Sequence, residues 1–189
     1  MTKRAARADR AIGAMFFSFF GGCWLVLWTH RARADNPTVL AIVIAIALAV
    51  LAAAFFRSRK LRLGVPVVAD SPEKKRRDRL FHYVNAGQYI LIFVFGNVLT
   101  NLGLSAWFIP LALFIIGLHF FPLARLFSFR GHYVTGSALI ALAIAYPQLA
   151  AGGPADPIGC LGAGIILLCA ALAALGSGTA LLAAPTRAV

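Results

Sequence analysis

Six long apolar stretches run along the chain, separated by short polar turns and by one long basic loop. They cover residues 11–29, 38–56, 81–102, 106–127, 132–147 and about 158–183, and the basic loop covers residues 57–80. A helix of about 20 apolar residues crosses the hydrocarbon core of a bilayer. The pattern therefore predicts an all-α fold: a polytopic membrane protein in which one domain, residues 1–189, forms a bundle of six transmembrane helices.

The composition supports a membrane class and excludes an ordinary soluble domain. Of the 189 residues, 61% are hydrophobic and only 13% are charged. The mean hydropathy of +0.84 is also far above what a soluble core requires. The lipid bilayer is therefore the first partner that the sequence predicts.

The first apolar stretch also resembles a secretory signal peptide, because a basic leader precedes it and a small-x-small site, Ala32-Arg33-Ala34, follows it. We interpret it as a retained helix. The stretch is longer than a usual signal core, and Trp24 and Trp28 suit an interfacial anchor. Cleavage remains the alternative, and it would leave five spans.

The distribution of the basic residues predicts the orientation. Sixteen of the 18 Lys and Arg fall in segments on one side of the predicted membrane, and only Arg31 and Arg33 fall on the other. The positive-inside rule then places both termini in the cytoplasm of a bacterial inner membrane. The basic loop is interpreted as a solvated collar that contacts anionic lipid headgroups. Nucleic acid is not an expected partner, because the loop has no interleaved aromatic residues.

The third stretch carries the most polar side chains. On an ideal helix, six of its residues lie within about 60° of one direction and so form a polar stripe along one face. They are His82, Asn85, Tyr89, Gly96, Asn97 and Thr100. We expect this stripe to face other helices or a water-filled cavity, because lipid disfavours polar groups. The third, fourth and fifth spans are therefore predicted to form the core, with the second and sixth around them. Ser71 or Asp70 is predicted to cap the basic start of the third helix.

The fourth and fifth stretches carry buried polar candidates, while the sixth carries small residues. His119, Pro122 and Arg125 lie near one end of the fourth stretch, where Pro122 removes a helical hydrogen bond beside His119. The small pairs Gly159/Ala163 and Cys160/Gly164 predict close helix contact in the sixth. The three cysteines are interpreted as packing residues, not as a disulfide or a metal site.

Together these positions predict one polar pocket that opens to the cytoplasm. Its predicted ligand-binding residues are His82, Tyr83, Asn85, Gln88, Tyr89, His119, Pro122, Arg125, His132, Tyr133 and Thr135. All six acidic residues of the chain lie outside the apolar stretches. The pocket therefore favours a small anionic or neutral polar ligand, or a lipid, and suggests a binding protein or a transporter.

Two alternatives remain open. The first is a membrane enzyme or redox protein with a metal or a haem held by His82, His119 and His132, although these residues lack a recognised ligand spacing. The second is a structural or regulatory subunit whose polar stripe serves helix contacts. The sequence leans away from an enzyme, predicts no cofactor, and leaves a homo-oligomer open.

A local resemblance accompanies these predictions. The segment GLHFFPLARLF at 117–127, followed by HYVTG at 132–136, resembles a motif in small bacterial inner-membrane proteins of a family whose domain has no known function. The resemblance covers about the fourth span and the start of the fifth. It implies a multi-pass inner-membrane protein and no particular activity.

The topology makes a direct prediction. Reporter fusions at Asp35, Thr100 and Asp156 will all give a periplasmic signal, because each lies in or next to a turn on the side with few basic residues. A fusion within the basic loop is the matched control and will give a cytoplasmic signal. A cytoplasmic signal at any of the first three positions contradicts six spans with both termini inside.

Overall fold

A computed structural model of the chain is all-helical and describes residues 3–33, 36–63 and 71–176. The six long helices are α1 (Lys3–Arg33), α2 (Pro37–Arg62), α3 (Pro72–Asn101), α4 (Phe108–Leu126), α5 (Gly131–Leu149) and α6 (Ile158–Gly176). Short 3-10 turns, Ser105–Trp107 and Gly153–Ala155, precede α4 and α6. Each helix contains one of the six predicted apolar stretches or most of it.

Side-chain caps fix the starts of α2 and α3. The Asn36 side chain accepts a hydrogen bond from the backbone N–H of Val39 at 3.1 Å, and the Ser71 hydroxyl accepts one from Lys74 at 3.1 Å. A proline follows each cap, where its missing N–H costs nothing. The predicted helix start is thus confirmed with Ser71 as the cap. Asp70, the other candidate, lies outside the described residues.

Five of the helices are long and apolar enough to cross a membrane: α1, α2, α3, α4 with its preceding turn, and α6. The fifth helix, α5, is not among them. It has the right length, but polar residues at both of its ends, from His132 to Thr135 and from Tyr146 to Gln148, lower its hydropathy. Residues 64–70 of the basic loop and 177–183 of the predicted sixth span lie outside the described residues.

The core is formed mainly by α1, α4, α5 and α6, with Ala54 of α2. The fourth and fifth spans thus belong to the core as predicted, whereas the prediction that the third span belongs to it and the sixth packs around it was wrong. The helices follow one another in space as α2, α1, α6, α5, α4 and α3. In the most apolar 18-residue stretch of α3 only 6% of the residues are buried. The corresponding share is 39% in α1 and 44% in both α4 and α6. The third helix is therefore peripheral and packs mainly on α4.

Small residues explain which helices are central. A Cβ atom added at Gly117 of α4 would lie 2.9 Å from the carbonyl oxygen of Gly136 in α5, and one added at Gly136 would lie 2.7 Å from that of Gly117. Gly164 of α6 approaches the carbonyl of Gly21 in α1 in the same way, at 3.0 Å. Such close backbone approach is how helices associate in lipid. The predicted small-residue contact of the sixth helix is confirmed.

The polar stripe of α3 does not face the bundle, contrary to our expectation. His82, Tyr89, Asn97 and Thr100 are exposed, and only Gly96 is buried, beneath the ring of Phe108. Asn97 and Thr100 instead donate to backbone carbonyls one turn earlier in α3. The tight turn after Asn101 determines which face of α3 packs against α4. Most of the polar stripe lies to one side of that face.

The three cysteines are free thiols, as predicted, but only one is a core residue. Cys160 is fully buried at the start of α6. Cys23 and Cys169 are exposed on the outer faces of α1 and α6. Only Cys160 therefore confirms the interpretation as a packing residue.

The α4/α5 contact predicts a sensitive position. Gly136→Ala will lower the free energy of unfolding by about 1–3 kcal/mol, because the added methyl group meets the Gly117 carbonyl and forces the helices apart. Thermal or denaturant unfolding in detergent measures this. Gly87→Ala is the control, since a Cβ there has nothing within 4 Å, and it will be neutral or stabilising. Equal stability of the two variants would contradict the close approach.

Candidate functional site

A tight turn between α4 and α5 builds the most unusual side-chain cluster in the described residues. Ser128 adopts a left-handed conformation, with φ of 49°, and the Phe129 N–H bonds the carbonyl of Ala124 at 3.1 Å. The turn folds the Phe129 ring back over Gly131, where an added Cβ would lie 2.5 Å from the ring. Gly131 therefore leaves room for the Phe129 ring over the first turn of α5.

His132, in that first turn, is enclosed by phenylalanine rings and is only 8% exposed. Its imidazole stacks on Phe120 of α4, with ring centroids 5.7 Å apart and an interplanar angle of 21°. Three further rings meet it at steeper angles: Phe129 at 5.1 Å, Phe17 of α1 at 5.6 Å and Phe127 at 6.3 Å. Helices α1, α4 and α5 and the turn thus converge on one imidazole.

His119 directly precedes Phe120 in α4 and meets the Phe120 ring edge-on, with the ring centroids 5.8 Å apart. It is half-buried and interacts with the backbone of Val84 in α3. The Nδ1 atoms of His119 and His132 are both buried, and within the described residues neither has a hydrogen-bond partner. We call these two histidines, with Phe17, Phe120, Phe127 and Phe129, the histidine site.

The chemistry of the histidine site follows from those two nitrogens. A neutral imidazole has one N–H donor and one acceptor nitrogen, and a buried nitrogen without a partner costs about 1–3 kcal/mol. The site is thus able to donate to an oxyanion or to accept from a hydroxyl group. A cation borders it, because the Arg10 guanidinium lies 5.7 Å from the centroid of the Phe129 ring.

The structure gathers only some of the predicted site residues. Thr135 is buried one turn after His132 and donates to the carbonyl of Gly131 at 3.0 Å, while the Tyr133 ring packs on Phe121 at 5.7 Å. Asn85 and Gln88 are half-buried on the side of α3 that faces α4. The remaining predicted residues are exposed, namely His82, Tyr83, Tyr89, Pro122 and Arg125.

The three candidate metal ligands do not form one group. His82 is exposed, and its Nδ1 lies 2.6 Å from the backbone oxygen of Asp78. Across residues 3–33, 36–63 and 71–176, no three His, Cys, Asp or Glu side chains are grouped so that they could hold a metal ion. The histidine site therefore contributes two imidazoles, without a third ligand from this set.

Two surface grooves lie apart from the histidine site. One, of about 380 Å³, runs between α1 and α2 past Gly22, Ala47 and Leu51. The other, of about 450 Å³, lies near the opposite end of α4, beside Trp107 and Gln148. Both are lined mostly by apolar side chains, as expected for surfaces that contact lipid tails.

Sequence reasoning missed the aromatic half of the site. Phe120, Phe127 and Phe129 had a visible signal, because they lie within a few residues of the two histidines. Phe17 and Arg10 had none. They belong to α1, more than 100 residues away, and only the tertiary arrangement brings them to His132.

Comparison with known proteins identifies no relative. No family model matches the chain, no curated protein matches it, and no solved structure matches its fold. The described structure defines a class, a helical protein with five helices able to span a membrane. The local resemblance of residues 117–136 gains no support from a family match.

The enclosure of His132 predicts an increase in stability on mutation. His132→Phe will raise the free energy of unfolding by about 1 kcal/mol, because the ring contacts remain and a buried nitrogen without a partner is removed. Unfolding in detergent measures the change. His82→Phe, at an exposed position of α3, is the control and will stay within about 0.5 kcal/mol of wild type. A clear loss of stability in His132→Phe would contradict the unpaired state of Nδ1.

Proposed function

We propose that this protein is a six-span bacterial inner-membrane protein, with both termini in the cytoplasm, that binds a small polar or anionic ligand or a lipid headgroup at the histidine site. The ligand enters from the cytoplasmic side. Binding is the proposed activity, and transport of the bound ligand is the further step that this geometry is suited to serve.

The observation that carries this proposal is the pair of buried, unpartnered imidazole nitrogens of His119 and His132. Buried polar groups in folded proteins nearly always have partners, and an exception requires an explanation. A ligand that supplies the missing hydrogen bonds provides one. The Phe120 ring, stacked on His132 and edge-on to His119, also holds the imidazoles in place before a ligand arrives.

The positive charge at the end of the bundle that holds the histidine site favours an anionic ligand. Contacts between Arg10 and Phe129, Met15 and Ser58, and Phe81 and Phe127 bring the basic ends of the helices together. The basic residues of α2, α3 and the α4–α5 turn, with Arg7 and Arg10 of α1, therefore lie at the same end as the histidine site, whereas the end of α1 that carries Arg31 lies at the opposite end. There the Arg31 guanidinium approaches the carbonyl of Ala155 at 3.5 Å. Such a distribution attracts anions and agrees with a cytoplasmic location.

The proposal predicts loss of ligand in matched variants. Native mass spectrometry of the wild type will show a bound lipid or metabolite, and His119→Leu will show the apo mass, because the variant lacks one of the two hydrogen-bonding rings. His82→Leu, which removes an exposed histidine at the same end, will keep the ligand. Thermal unfolding of all three proteins verifies that each is folded.

Two reconstitution conditions distinguish a lipid headgroup from a free anion as the ligand. Reconstitution with phosphatidylglycerol tests a lipid headgroup, and titration with inorganic phosphate in neutral phosphatidylcholine tests a free anion. Binding that persists in a folded His119→Leu protein, or an apo mass for the wild type under every condition, would contradict the proposal.

A further inference from the structure

The outer side of α3 carries a regular series of exposed residues that the histidine site does not use. Its spacing alternates between four and three residues, and its members are Lys75, Arg79, His82, Ala86, Tyr89 and Phe93. We call this series the α3 seam. Alternation of four and three is the spacing at which two helices pack along a left-handed supercoil.

The membrane part of this surface exposes the polar side chains of Tyr89 and Asn97 where lipid would favour apolar groups. Tyr89 is 60% exposed and Phe93 72% exposed. The exposed amide of Asn97 lies one turn further on and bonds only to the backbone of its own helix. In hydrocarbon, uncovered amide and hydroxyl groups are costly, and helices associate by covering them and by packing.

We propose that the α3 seam is the interface of a homodimer, in which α3 of one copy packs in parallel against α3 of a second copy around a two-fold axis along the membrane normal. This inference rests on the exposed face of α3 and not on the proposed ligand. It gives the peripheral helix a partner that the single chain does not provide.

The chemistry of the seam suits a second copy of the same chain. Both copies must insert with their basic ends on the same side, so their α3 helices run parallel and each seam residue meets its own counterpart. The hydroxyl of Tyr89 contains a donor and an acceptor, so it is able to pair with its counterpart, and the amide of Asn97, just beyond the end of the seam, has the same property. The small side chain of Ala86 permits close approach beside Tyr89.

An acidic residue offsets part of the like charge at the basic end of the seam. Lys75 and Arg79 would each repel their counterparts, but Asp78 lies on the flank of the seam, on the side that turns toward Arg79 of the other copy. Among the described residues Asp78 pairs with Arg77, with 3.9 Å between Nε and the carboxylate oxygen, and its own side chain is 54% exposed. Such a pair is weak and easily exchanged. Two-fold symmetry would form the Asp78–Arg79 pair twice.

Cysteine cross-linking in native membranes tests the interface. The exposed Cys23 and Cys169 are first replaced by alanine, and the buried Cys160 is kept. Tyr89→Cys then places a thiol in the seam, and Leu91→Cys places one almost on the opposite side of α3, since two residues correspond to about 200° of rotation. Both positions are exposed, at 60% and 46%, and lie at similar depth.

Mild oxidation will convert Tyr89→Cys, but not Leu91→Cys, into a disulfide-linked dimer of twice the mass of the 20.2 kDa chain. Adding Ala86→Leu will reduce the cross-linked fraction, because the larger side chain separates the helices, while the unfolding temperature of the exposed-site variant stays unchanged. Light scattering of the wild type in mild detergent will give two chains per particle.

Several results would overturn the homodimer. Equal cross-linking of Tyr89→Cys and Leu91→Cys would show contact without a defined face. A covalent adduct of Tyr89→Cys with a different protein would assign the seam to another partner. A monomer by light scattering, together with no cross-link at Tyr89, would show that α3 faces lipid.

Discussion

The close approach of α4 and α5 at Gly117 and Gly136 is the contact on which the arrangement of the bundle depends. Lipid gives helices no hydrophobic reason to associate, so contact between their backbones must replace that driving force. Once α4 and α5 are joined in this way, the turn between them has little freedom, and Ser128 takes a left-handed conformation to close it. The position of His132 against Phe120 follows from the same contact. One pair of glycines thus determines both the packing and the site.

The histidine site combines features that a membrane interior usually keeps apart. Four phenylalanine rings pack closely around His132, as in an apolar core, yet two imidazole nitrogens remain without partners. Rigid aromatic surroundings hold these nitrogens in position and exclude bulk water, so a ligand group that reached them would meet strong hydrogen bonds. The basic end of the bundle adds a favourable potential for an anion. These features suit the proposed ligand, which would be selected by charge and hydrogen bonding.

The parts of this structure that depend on local sequence were predictable. The start of α3 at Ser71 and Pro72 was predicted because a cap needs only neighbouring residues. His119 and His132 were found because polar residues are conspicuous in apolar stretches. The location of the core was not predictable, since a helical projection gives the angle of a residue but not the neighbour that it faces. For the same reason the stripe of α3 was assigned to the interior, and Phe17, a residue of α1, was not recognised as a wall of the histidine site.

The contact between Gly21 of α1 and Gly164 of α6 joins the two ends of the described chain. During synthesis α1 enters the membrane first, but its main partner besides α2 is made last. Until residue 164 has been inserted, the core side of α1 has no permanent neighbour, and Phe17 has not yet been fixed over His132. The wall of the histidine site that α1 contributes is therefore fixed only after α6 has been made. A truncated chain that lacks α6 would keep four of the five helices able to span a membrane and would still lack a finished site.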